Sequence, residues 1–398
     1  MDEQTEDRLG YRYTHLGWIP KEWGINKLGK IFKITAGGDL NKKNYFKEKF
    51  STYKYPIFSN KLTNNGLYGY SNEYDYDCEC ISITARGMIG KAINRNNKFC
   101  AIGRLLILIP VIKLDTYFVS EYINNSINFL IESTGVPQLT APQTSTYLIA
   151  LPPLQEQKTI ADCLSQWDKA IDLLTRLIEQ KKLRKKGLMQ QLLTGKKRLP
   201  GFDGEWKHGQ IGDVTKLFSR RNKKLIDARI YSISNLKGFI YQSEQFEREV
   251  AGDDLANYKI IKKNEFAYNP ARINVGSIAY FEDEIGIISS LYVCFSTNKL
   301  MDDIYFSYLL SLNKTKHDIC RYGEGGVRIY LWYPLFSSIK IIIPSHKEQT
   351  AISKVLQTAD KEINLLNKKL GLLKEQKKGL MQQLLTGKKR LTIKTKES

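Results

Sequence analysis

Fifteen residues, KKGLMQQLLTGKKRL, occur twice in this chain, at 185–199 and again at 377–391. At the same offset of 192 positions, Lys186 to Lys378, the match runs on upstream without a gap. Leu151-Pro152 meets Ile343-Pro344, and Glu156-Gln157 meets Glu348-Gln349. Ile160, Leu164, Asp168, Lys169, Ile171, Leu173 and Leu174 meet Ile352, Leu356, Asp360, Lys361, Ile363, Leu365 and Leu366. An internal repeat of this length fixes the organisation of the chain before any other feature is read.

Each copy reads as one long helix. Apolar residues fall at Ile160, Leu164, Trp167, Ile171, Leu174 and Ile178, then Leu188 and Leu192. The second copy places Ile352, Leu356, Ala359, Ile363, Leu366, Leu370 and Leu373, then Leu380 and Leu384. Steps of four and three make a coiled-coil seam, interrupted by Lys181, Lys185 and Lys377. Pro152-Pro153 suits one helix start, and Ser345 with Glu348 predicts a capping box at the other. Gly195 and Gly387 suit the position after a helix end. Gly187 and Gly379 lie inside the helices, where Gly costs about 1 kcal/mol against Ala, so close backbone approach is expected there. Two matching amphipathic helices most simply pack on each other. The seam Ile160, Leu164, Trp167, Ile171 and Leu174 is then expected to face Ile352, Leu356, Ala359, Ile363 and Leu366, antiparallel. The alternative is that each helix packs on its own neighbouring domain.

The helices separate two blocks whose entries rhyme weakly. IPKEWGINKLGKI carries Trp23 and Gly29; FDGEWKHGQIGDV carries Trp206 and Gly212. Inside, the blocks diverge, but both are rich in short β-like runs broken by Asn and Gly, followed by helical stretches near 116–133 and 303–315. The expected division is 1–150 for a first mixed domain and 151–200 for a long helix. A second mixed domain follows at 201–342, then a second long helix at 343–398. The fold class is α/β: two mixed domains joined by two long antiparallel coiled-coil helices, with a pseudo-twofold internal repeat. Nearly identical frames around unlike fillings suggest two tasks of one kind with different specificities.

Charge narrows the partner. Lys and Arg number 61 against 41 Asp and Glu, a net charge of +20, which favours polyanions such as nucleic acid. No apolar run reaches the roughly 20 residues of a membrane span. The acidic start MDEQTEDRLG is no secretory signal. The six cysteines are scattered, without disulfide or zinc-finger spacing, and read as reduced core thiols of a cytoplasmic protein.

No motif for catalysis withstands inspection. GMIGKA (87–92) lacks the Ser or Thr of a phosphate loop. YNPAR (268–272) lacks the second Pro of an adenine methyltransferase motif, and no Gly-rich cofactor loop precedes it. Asp253-Asp254 has no companion Glu-x-Lys, and His15, His208, His317 and His346 are isolated. Neither a catalytic residue nor a metal or cofactor is expected.

The frame resembles the specificity subunit of type I restriction–modification systems. The residues that carry the resemblance are LPPLQEQ with Ile160 and Leu164, the exit KKGLMQQLLTGKKRLPGF with Trp206, their second copies, and the opening GWIPKEW. It covers essentially the whole chain. It implies that the blocks are target recognition domains, each reading one half of a split DNA site, with the helices spacing them. It implies a non-catalytic subunit that docks methyltransferase (M) subunits, two of them, to direct adenine methylation, and that restriction (R) subunits join to cut. A helix over about 156–193 would be roughly 55 Å long, enough to span half-sites about 34 Å apart. The competing readings are a self-contained methyltransferase or nuclease, and a coiled-coil scaffold for proteins.

Base reading needs Arg, Lys, Asn and Gln aimed at base edges. Block one offers Asn60, Lys61, Asn64, Arg86, Lys91 and Gln138, with Thr140 beside it. Block two offers Arg220, Arg221, Asn222, Lys223, Asn235, Lys237, Arg272, Asn274 and Arg328, with Arg321 nearby. Lys181, Lys182, Arg184–Lys186, Lys374, Lys377 and Lys378 on the helices are candidates for phosphates.

Overall fold

The computed structural model describes residues 9–130, 137–235, 237–242, 255–323 and 330–391. The chain forms two compact units, residues 1–175 with 368–398, and residues 176–367. The repeated segments form two helices of 39 residues, Leu154–Leu192 and His346–Leu384. Each unit therefore takes the head of one long helix, the tail of the other, and one of the two blocks.

The first unit holds a four-stranded antiparallel sheet in the order Phe32–Ala36, Leu106–Pro110, Cys80–Ile83, Ala92–Arg95. A second sheet orders Cys100–Ala101, Tyr55–Phe58, Leu67–Ser71 and Tyr45–Phe46, its first pair parallel. The second unit repeats this plan. Its antiparallel sheet runs Thr215–Phe218, Val293–Thr297, Glu265–Tyr268, Ile278–Phe281. In its other sheet Ile230–Ser234 lies between Gly238–Tyr241 and a parallel Ile285–Ile288. The blocks that share little sequence thus share the antiparallel sheet and three strands of the other; the fourth strand differs, Tyr45–Phe46 beside Leu67–Ser71 in the first unit and Lys259–Lys262 beside Ile285–Ile288 in the second.

The helical stretches form at Thr116–Ser126, ending before Ile127 and so shorter than expected, and at Asp303–Ser311, where extended Leu312 breaks the run before a further helix Asn313–Tyr322. Each has an Asp N-cap, Asp115 or Asp302, accepting from a backbone N–H three residues on. Trp23, Leu28, Ile81, Leu108 and Phe118 form the first core. Phe266, Phe295, Phe306 and Phe336 form the second, with Phe266 and Phe295 stacked at 5.2 Å. No helix among the described residues is long and apolar enough to cross a membrane.

The helix pairing is antiparallel, but its register differs from the expected one. Ile160 and Leu164 pack in the first core with Leu384 and Leu385. Ile352 and Leu356 pack in the second core with Leu192 and Leu193. An antiparallel pair brings the head of one helix to the tail of the other, so equivalent heads never meet. Leu174 and Ile363 are also buried, while Trp167, Ile171 and Leu366 are half-buried. Gly187 and Gly379 permit no close approach: a Cβ on either would meet nothing within 4 Å. Gly195 and Gly387 behave as the sequence suggests, with φ of +71° and +70°.

Candidate nucleic-acid interface

The repeated segments explain themselves through side chains that cross between copies. In the first unit Glu156, 1% exposed, accepts from Arg390 Nε and Nη2 at 2.5 and 2.8 Å and from Trp23 Nε1 at 3.2 Å. In the second unit Glu348, also 1% exposed, accepts from Arg198 at 2.6 and 2.8 Å and from Trp206 Nε1 at 2.9 Å. A buried carboxylate is held by a bidentate guanidinium and an indole, the arrangement that satisfies most of its acceptor sites. Half of the predicted capping box is present: Glu348 N–H donates to Ser345 Oγ at 3.3 Å. The Glu348 carboxylate is turned to Arg198 and Trp206 instead of its own helix start.

The neighbouring glutamines do the same for backbone. Gln157 accepts from Asp115 N–H at 2.9 Å and donates to Pro152 at 2.8 Å. Gln349 accepts from Asp302 N–H at 2.8 Å and donates to Pro344 at 2.9 Å. Gly29 and Gly212 share a reason too. A Cβ there would come within 2.6 Å of Ser145 or 3.2 Å of Ser337, on equivalent short helices.

The lysines that interrupt the seam are its polar locks. Lys377 reaches Asp168 at 2.7 Å and Glu121 at 2.8 Å, and Tyr117 donates to Asp168. Lys185 reaches Asp360 at 2.5 Å, and Tyr308 donates to Asp360 at 2.6 Å. Lys181 pairs with Glu362 at 2.5 Å. Burial alone would lower the Lys377 pKa, but the bonds to Asp168 and Glu121 outweigh it and the net shift is upward. Burial pushes the Tyr117 and Tyr308 hydroxyls up, and their carboxylate partners add to it. These lysines are engaged inside the units; Lys182, Arg184, Lys186, Lys374 and Lys378 are exposed.

The block-one candidates come together on a set of adjoining loops. Asn60 ties three of them, accepting from Ala85 N–H at 2.7 Å and donating to Gly103 O at 2.5 Å. Leu139 N–H donates to Ala85 O at 2.9 Å, which brings Gln138 beside Arg86. Arg86 Nε and Nη2 both donate to Gln138 Oε1, at 3.0 and 2.7 Å. Lys61 is exposed and lies 5.2 Å from the Tyr68 ring. Asn64 sits exposed at φ +50° in the turn Thr63–Gly66. Lys91 is exposed, its backbone N–H bound to Thr84 Oγ1.

Beneath that turn lies a residue the sequence did not signal. Arg95, 7% exposed, donates to Ser82 Oγ at 2.9 Å and to Asn65 O at 2.6 Å, with its guanidinium 3.6 Å from the Phe58 ring centroid. Burial lowers its pKa to about 10. Arg104 was also missed; it is exposed at φ +65° beside Gly103.

In block two the SRRNKK run is not an open basic patch. Arg220 pairs with Glu265 and lies 4.3 Å from the Phe218 ring. Arg221 donates to Asn257 O at 2.7 Å. Asn222 is completely buried, with its Oδ1 accepting from Ile226 N–H, so as folded it cannot touch DNA. Only Lys223 of the four candidates in the run is exposed with no side-chain hydrogen bond or ion pair among the described residues. Asn235, Lys237 and Arg272 are exposed, and Asn274 is half-buried. Asn235 and Asn274 line one cavity of about 500 Å³. Arg321 is exposed, and Arg328 lies outside the described residues. Tyr330 and Trp332, 38% and 53% exposed and stacked at 6.4 Å, were not signalled. Leu331 N–H donates to Pro270 O at 3.0 Å, the counterpart of Leu139 to Ala85, so Tyr330 stands where the first unit has Gln138.

The thiols are free. Cys80 and Cys294 are buried, and burial pushes both up to about 12; Cys320 is exposed, against the expectation of a core thiol. No group of three or more metal-ligating side chains occurs among the described residues.

Comparison with known proteins agrees with this architecture. The family model described as type I restriction modification DNA specificity domain matches residues 20–182 and 203–375. The chain belongs to that family. It is 27% identical to the putative type I restriction enzyme MjaX specificity subunit of Methanocaldococcus jannaschii, over 96% of this chain and 97% of the relative. A crystal structure of a type I restriction-modification S subunit from M. genitalium superposes with a TM-score of 0.60 at 17% identity, covering 91% of this chain and 96% of that one. A second structure, from work on assembly and conformational transition of the type I R-M system, gives 0.54 at 14% identity, over 93% and 99%. At those identities the structures speak for the fold.

Proposed function

We propose that this chain is the non-catalytic, DNA-reading specificity subunit of a type I restriction–modification complex. Each unit reads one half of a bipartite double-stranded site. The carrying observation is the pair of similarly built units, each with the same antiparallel four-stranded sheet, whose loops are differently furnished: Arg86 and Gln138 in one, Arg272, Tyr330 and Trp332 in the other. The net charge of +20 supports a polyanionic partner. The domain limits we adopt are recognition blocks 1–150 and 201–342 with helical segments 151–200 and 343–398.

The long helices, shared by both units, set the spacing of the half-sites and dock two M subunits, with R subunits joining for cleavage. Leu173 and Leu365 occupy equivalent positions on these helices, are 65% and 66% exposed, and are the residues we assign to this docking. The complex works in the cytoplasm. The test is a methylation map of host cells with and without this gene. A two-part motif that loses its methyl groups on deletion is expected. An unchanged map, or DNA methylation by the purified chain alone with S-adenosylmethionine, overturns the reading.

A further inference from the structure

Resting on that reading, we propose that Arg86 and Gln138 form a donor-only pair that selects a guanine in the half-site read by the first unit. A guanidinium carries no acceptor, so only the carbonyl oxygen of Gln138 can face it. Both lone pairs of that oxygen are taken, by Arg86 Nε at 3.0 Å and Nη2 at 2.7 Å. What remains is the amide NH₂ of Gln138 and the unused N–H groups of Arg86. The glutamine has lost the acceptor it would need to pair with adenine.

The base edges then sort themselves. In the major groove guanine shows two acceptors, N7 and O6; adenine shows an acceptor and a donor; cytosine shows a donor. Thymine offers one acceptor beside a methyl group. A purely donating pair matches guanine alone at both contacts. Arg86 is exposed, and it makes no ion pair among the described residues. Its seat is rigid: Ala85 is held on both sides, by Asn60 Oδ1 on its N–H and by Leu139 N–H on its carbonyl. Pre-set donors of this kind lose little conformational freedom on binding. In the second unit Tyr330 takes the place of Gln138, so the two halves differ at this contact.

The test is selection from a randomised duplex pool by the full chain assembled with its M subunits, for the wild type, Arg86→Lys and Gln138→Glu. Arg86→Lys keeps the charge and removes the planar fork. Gln138→Glu replaces the outward donor by an acceptor. The wild type is expected to enrich a two-part motif containing a guanine whose preference falls about tenfold or more in both variants, with all other positions unchanged. A 7-deazaguanine at that position, which lacks the N7 acceptor, should weaken binding by the wild type. Melting curves of the variants confirm that they fold. The proposal is overturned if no position responds to either variant, or if the responding base is adenine, cytosine or thymine. Absence of any two-part motif in the wild type would instead sink the specificity-subunit reading.

Discussion

At the scale of single residues, polar side chains separate into those that build the units and those left to face a partner. Asn60 and Asn222 looked alike in the sequence, each an Asn beside a Lys in a polar stretch. One bridges loops and the other is wholly buried. Sequence cannot separate them, because an Asn side chain resembles the backbone it binds and serves equally as glue or reader. Glu156 and Glu348 carried a clearer signal, being repeated letters that no apolar period required. Glu156→Gln removes the charge that Arg390 and Trp23 address. Arg390 is partly in water, so the expected loss is about 2 kcal/mol, below the usual cost of breaking a buried pair. Urea denaturation followed by Trp fluorescence measures it. A stability within 0.5 kcal/mol of wild type, roughly that of an ordinary surface change, would show that the clamp is ornamental.

At the scale of elements, the helices, their ends and their apolar stripe were legible in the sequence, and their mutual register was not. Two copies with one period can be paired in many registers at equal apolar burial. The charges hold the missing information: Lys377 with Asp168 and Lys185 with Asp360 are compatible only with heads against tails. Gly187 and Gly379, misread as points of close approach, face open space. Alanine at either should raise stability by about 0.5–1 kcal/mol through helix propensity, seen as a higher melting temperature; a decrease would reveal a contact at these sites. Lys377 yields a pH prediction. Its folded pKa is raised, so its contribution is fully present below the unfolded value near 10.5 and is lost as pH rises through the folded value. Lys377→Met should lower the melting temperature by about 3 °C, a loss of about 1 kcal/mol after screening. That gap should hold from neutral pH to about 10 and close above it. A gap independent of pH throughout would assign the loss to packing alone.

At the scale of the whole molecule, each repeated segment completes the unit begun by the other. Arg390 from the second copy serves Glu156 of the first, and Arg198 from the first serves Glu348 of the second. The frame therefore carries its own fit, and a block inserted into it must supply only the matching partners. For residues 201–342 these are Trp206, which donates to Glu348 at 2.9 Å, Asp302, whose N–H donates to Gln349 at 2.8 Å, and Tyr308, which donates to Asp360 at 2.6 Å. Exchanging this block for that of another family member should change one half of the recognised sequence and leave the other half and the gap as they were. A donor block with Phe at the Trp206 position should bind the same new half-site but melt lower. A hydrogen bond to a charged acceptor contributes about 1.5–3 kcal/mol, and restoring Trp should recover it. Methylation mapping of the chimera reads the first outcome and calorimetry the second. If both halves changed together, the two units would not read independently. If the Phe and Trp chimeras melted alike, the block would be held by something other than the frame.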